Sequence, residues 1–120
     1  MIRTVYKVLA ISQEGLQSCL KHNPHWCAYA PNVRTFPSIG KLFAFETVAE
    51  AIRFCNCFFL DKCVYKASAD IYTGPRPKCF PSSVKGYTVQ DTWEGNMVDA
   101  SEAERFGVLC NWIELIKEVA

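Results

Sequence analysis

No stretch of this chain is apolar for long enough to cross a bilayer, which takes about 20 residues in a row. The most apolar window, Ala51 to Leu60, is broken by Arg53 and Asn56 and closed by Asp61 and Lys62. A soluble chain with no membrane span and no secretory leader is therefore expected. A surplus of either charge is also missing: thirteen lysines and arginines stand against twelve acidic residues, for a net charge of +1. Bulk binding of DNA or RNA rests on a concentrated basic surface, and this balance argues against it. Histidine is scarce, with only His22 and His25. The G-x-S-x-G elbow, H-E-x-x-H, the P-loop and the G-x-G-x-x-G fingerprint are all missing, and with them the usual signatures of hydrolases and dinucleotide enzymes.

What the chain does have is enough apolar material for one core. Half of its 120 residues are hydrophobic and 21% are charged. That composition excludes an intrinsically disordered chain and fits a single domain over residues 1–120. Seven cysteines are many for this length, but the number is odd and no leader accompanies them. Reduced thiols in a cytoplasmic protein are the expectation. Cys55, Cys57 and Cys63 follow a C-x-C-x5-C spacing, not the C-x2-C of structural zinc sites. On a helix, Cys55 and Cys57 point about 200° apart and do not share an ion. His22, His25 and Cys27 are the other candidate ligands by proximity, and the reading is that no metal or cofactor is held.

Hydrophobic periodicity predicts the elements. Thr4–Ile11 is rich in β-branched and aromatic residues and reads as a strand ending in a turn at residues 12–15. Residues 21–40, with Pro24, Pro31, Pro37 and Gly40, read as a long ordered loop. Lys41–Phe45 is a second strand. Thr47-Val48-Ala49-Glu50 has the form of a capping box and opens a helix to about Leu60, with Val48, Ala51, Ile52, Cys55, Phe58 and Phe59 toward the sheet. Val64–Tyr72 alternates as a strand with one buried face. A second loop, 73–86, is locally basic, and Tyr87–Trp93 reads as a further strand. Over the last twenty residues Ser101-x-x-Glu104 and the spacing of Phe106, Leu109, Ile113 and Ile116 lean toward a helix. Val108-Leu109-Cys110 suits a strand equally, so helix and strand both stay open there. The fold class expected is α+β, an antiparallel sheet with one central packed helix.

Catalytic constellations are poorly supplied. A cysteine–histidine pair built from His22 or His25 with Cys19 or Cys27 has only sequence proximity behind it, and such pairs must meet in space. Asp91, Glu94 and Asp99 bracket Trp93 and read more simply as solvated turn residues than as a general base. Binding chemistry is richer. Arg76, Lys78 and Phe80 place two cations and a ring in a proline-stiffened loop, suited to phosphate and to a stacked base. Arg34 with Phe36 repeats the combination in the first loop. Asn96 offers an amide to an adenine edge, and Arg105 offers a further phosphate clamp. With Trp93 these make the candidate ligand-binding set: Arg34, Arg76, Lys78, Phe80, Trp93, Asn96 and Arg105. No catalytic residue is assigned.

Four segments together carry a resemblance. They are Tyr6-Lys7-Val8-Leu9; Gly40-Lys41-Leu42-Phe43-Ala44-Phe45-Glu46-Thr47 running into Ala49, Ala51 and Phe54; Val64-Tyr65-Lys66-Ala67; and Val108-Leu109-Cys110-Asn111 with Ile113–Val119. Covering about a third of the chain, they resemble small bacteriophage-encoded proteins, and most of all the Thoeris anti-defence sponges. The resemblance implies a closing segment that returns to the sheet as a strand. It also implies a non-enzymatic protein of the infected bacterial cytoplasm that sequesters a cyclic ADP-ribose type signal without turning it over. Under it Phe80 stacks, Asn96 meets the base, and Arg34, Arg76 or Arg105 meet phosphates. The partner is then a small nucleotide, with no DNA, RNA or membrane. The aromatic surplus, eight Phe, five Tyr and three Trp, suits a homo-oligomer with pockets at subunit junctions. Two alternatives use the same residues. A reduced ADP-ribosyltransferase-like domain would bind NAD and set Glu94 against the ribose, though Arg3-Thr4 poorly replaces the usual early-strand motif. A protein-binding inhibitor of a host enzyme would use an exposed aromatic face.

Overall fold

Strand β1 (Ile2–Ser12) is the axis of the molecule. Its Ile2, Thr4, Val5, Tyr6, Val8 and Ile11 favour extended backbone, and Lys7 to Ala10 are buried on both faces. The computed structural model describes residues 1–21, 26–37, 40–56, 61–74 and 107–120. A tight turn at Gln13–Glu14 reverses the chain into β2 (Gly15–Lys21), with Ser12↔Gly15 as the last pair. The Ser12 Oγ accepts from the Glu14 N–H and donates to the Gly15 carbonyl. Gly15 takes φ +117, a conformation open to glycine and strained for other residues. Then come β3 (Trp26–Tyr29), β4 (Arg34–Thr35), β5 (Leu42–Ala44), helix α1 (Val48–Cys55), β6 (Lys62–Ile71) and β7 (Val108–Glu118).

Every strand pairing is antiparallel, in the order β3-β2-β1-β6-β7-β4, with β5 also on β7. The sheet curls far enough to meet itself. Just past β5, Phe45 exchanges both backbone hydrogen bonds with Tyr6 of β1, at 2.8 and 2.9 Å. The circuit β1-β6-β7-β5 thereby returns to β1, giving a nearly closed, barrel-like sheet. Its inner face packs Val5, Leu9, Ala67, Ala69, Ile113 and Leu115. Its other face packs Val8, Ala10, Val64, Phe43, Phe45 and Leu109, over which α1 lays Ala51 and Cys55.

The expected α+β class with a central helix is corrected to a mainly-β fold. The helix has eight residues and is peripheral. Its start is as predicted: Thr47, extended at φ −125 and ψ 152, accepts from the Glu50 N–H at 3.2 Å. The Glu50 carboxylate meets the Thr47 hydroxyl at 3.0 Å and not the backbone amide of a full capping box. Its end comes early, at Asn56, and residues 57–60 lie outside the described ones. Val48 and Ile52 are 38% and 40% exposed, so of the described residues expected to face the sheet Ala51 and Cys55 do, joined by Phe54, whose ring centre lies 5.2 Å from that of Phe45.

The C-terminal segment, where helix and strand both stayed open with a lean toward helix, forms strand β7, paired with β6 from Ile71↔Cys110 to Tyr65↔Glu118. The loop over 21–40 contains two short strands, β3 held by β2 and β4 held by β7. Strand β4 owes its conformation to a partner far along the chain more than to local preference, while β3 pairs with the neighbouring β2. The strands at the start of the chain, at 41–45 and at 64–72, fall where predicted within one or two residues. The strand expected at Tyr87–Trp93 and the basic loop beyond Gly74 lie outside the described residues.

Candidate functional site

Strand β7 is paired irregularly on both sides at one place. On one side, Asp70↔Trp112 is followed by Ile71↔Cys110, which leaves Asn111 as an extra residue. On the other, Thr35↔Ile113 of β4 is followed by Leu42↔Cys110 of β5, so Asn111 and Trp112 fall between the two pairings. Bulges of this kind re-aim side chains and recur at functional sites.

Around this irregularity the chain collects cations on aromatic rings. The Arg34 guanidinium carbon lies 4.1 Å from the centre of the Trp112 ring, a close stack for a cation–π pair. Lys41 Nζ lies 4.8 Å from the centre of the Tyr72 ring. Arg34 Nε also stands 3.7 Å from Glu114 Oε1, across the Arg34↔Glu114 pair. Beside Trp112, Asp70 accepts from the Met1 ammonium at 2.9 Å and from Asn111 Nδ2 at 3.0 Å. Those two hydrogen bonds, with Arg34 adding a smaller electrostatic pull, hold the Asp70 carboxyl below its ordinary range. Asp70 is thereby occupied by its own neighbours, while Arg34 keeps half its side chain in water.

A different group of polar side chains is enclosed within the fold. Lys7 is 4% exposed and donates from Nζ to the Phe43 carbonyl at 2.6 Å. Its Nζ lies 5.4 Å from the centre of the Tyr29 ring. Burial lowers the Lys7 pKa, against the pull of the nearby Cys19, Cys27 and Cys110 thiols. Burial also raises those thiols, Cys19 to about 11 and Cys110 to about 12, with Cys63 likewise at about 11. They are protonated at neutral pH and correspondingly poor nucleophiles. The Tyr29 hydroxyl is buried, with the Cys27 thiol as a polar neighbour. Among the described residues, no three His, Cys, Asp or Glu side chains stand close enough to hold a metal ion. No helix among them is long and apolar enough to cross a membrane.

Of the predicted ligand-binding set, Arg34 is placed, exposed and stacked. Arg76, Lys78, Phe80, Trp93, Asn96 and Arg105 lie outside the described residues, as do His22, His25, Asp91, Glu94 and Asp99. The sequence reading missed Trp112, Lys41 and Tyr72, which the fold brings to the same region. A tryptophan between Asn111 and Glu114 in a strand-compatible run was the available signal for the first of them. Compared with protein-family models, curated proteins and solved structures, the chain matches none.

Proposed function

We propose that the protein binds and sequesters a small nucleotide without turning it over, with a cyclic ADP-ribose type signal as the ligand to which the sponge resemblance points. The observation that supports this reading is the Arg34–Trp112 stack at the double irregularity of β7. A guanidinium laid on an indole is held flat, and its outer N–H groups stay free to meet a phosphate in two-pronged fashion. Lys41, on the Tyr72 ring, adds a second cation suited to the charge of a nucleotide. No step of catalysis is assigned, and the reading is one of counter-defence by sequestration in an infected cell.

The test is calorimetric titration with cyclic and glycocyclic ADP-ribose isomers, then mass spectrometry of the ligand released on heating. The expected result is tight binding with the ligand recovered intact. Arg34→Ala, Phe80→Ala and Arg105→Ala are each expected to weaken binding by at least about tenfold, in line with loss of a charged or stacking contact. A cleaved or transferred product would instead favour the ADP-ribosyltransferase-like reading. Absence of binding to every isomer would overturn both.

A further inference from the structure

The face that bears Arg34 has a second property, independent of any nucleotide. Phe36 is 62% exposed and Ile116 47% exposed. Phe36 lies two residues beyond Arg34, just past the end of β4. Ile116 is the extra residue where Ala67↔Leu115 passes to Lys66↔Lys117, so it stands on the same side of β7 as Trp112 and Glu114. Between these two apolar side chains sits the Arg34–Glu114 pair. At 3.7 Å, with the two side chains 53% and 37% exposed, it is longer than the 2.7–2.9 Å typical of a charge-assisted hydrogen bond. Each charge therefore keeps most of its hydrogen-bonding capacity for another group.

A patch with one cation and one anion side by side, bordered by apolar residues, is complementary to itself after a two-fold rotation. A patch of single sign would repel its own copy. Self-complementarity is the requirement of an isologous dimer, in which each contact occurs twice. We infer that this face is a two-fold interface with a second copy of the chain, Arg34 of each protomer facing the partner's Glu114 while Phe36 and Ile116 pack around the axis. Such a contact brings the two Arg34–Trp112 stacks of a dimer to one junction.

The experiment is sedimentation velocity on the full chain and on two charge reversals, Arg34→Glu and Glu114→Arg. An exposed ion pair contributes only about 0–1 kcal/mol to stability, so both variants are expected to fold, which circular dichroism checks. The wild-type chain is expected to self-associate. Each variant alone then faces like charge across the axis, and its self-association should be at least about tenfold weaker. An equimolar mixture of the two variants should associate again, because in the mixed pair every reversed charge meets its opposite. A monomeric wild-type chain, variants that self-associate like wild type, or a mixture that stays monomeric would each overturn the interface. None of these results depends on whether a nucleotide binds.

Discussion

Among the described residues, the buried Lys7 amine donates to one acceptor, the Phe43 carbonyl, and lies near thiols and an aromatic ring. Burial favours the neutral form of Lys7, so its folded pKa lies below the ordinary 10.5. The unfolded chain then binds more protons than the folded one between those two values, and stability rises with pH across that window. Lys7→Met keeps the length and removes the titration. Wild-type stability, measured as the urea midpoint with rising pH up to the ordinary 10.5, is expected to climb relative to the variant, which shares the Cys19, Cys63 and Cys110 thiols and so cancels their ionisation. A difference between the two proteins that stays constant up to that pH would show the Lys7 pKa to be the same in the folded and unfolded chain. The variant also removes the hydrogen bond from Lys7 to the Phe43 carbonyl, at about 0.5–1.5 kcal/mol, which is why the slope and not the absolute stability is read. None of this was legible in the sequence, where Lys7 sits in an alternating strand and its burial comes from strands far along the chain.

Elements whose signal is local were readable, and elements whose signal is a partner were not. Strands β1 and β6 carry β-branched and alternating residues of their own, and the Thr47 cap is written within four residues. By contrast β2 holds Gln17, Ser18 and Lys21, and β4 is two residues beside Pro37. For β7, Leu109, Ile113 and Ile116 satisfy a helical spacing while Ile113 and Leu115 satisfy alternation, and only pairing with β6 decides. The site divides the same way: Arg34 was visible as a loop cation, whereas Trp112 becomes its platform only through the β4–β7 register. The junction before β7 has a sharper requirement. Gly107 takes φ +68, and a Cβ there would stand 2.6 Å from the Ala44 carbonyl oxygen and 3.1 Å from Phe45 Cα. Gly15 has a comparable backbone constraint with nothing within 4 Å. Thermal denaturation is therefore expected to show Gly107→Ala losing more stability than Gly15→Ala, with backbone strain of about 1–3 kcal/mol common to both and the clash falling on Gly107 alone.

At the scale of the whole molecule, β1 and β6 form the longest uninterrupted ladder, from Ile2↔Asp70 to Ala10↔Lys62, and both core clusters draw on them. Native-state hydrogen exchange should find the slowest amides there, in Val5, Leu9 and Ala67. Faster exchange is expected in Arg34 and Thr35 of β4, which pair with β7 alone. Equal protection across the two would mean that the sheet opens only as a unit. The ends of the ladder have a further consequence. The Tyr72 N–H donates to the Leu109 carbonyl at 2.8 Å, so the backbone between them departs and returns across a single hydrogen bond. Strands β6 and β7 are thus hairpin partners, and geometry asks for no more than a few residues to join them. Six of the seven candidate ligand-binding residues fall in the sequence between those two strand ends, so their identities can change without altering any residue of the β6–β7 register.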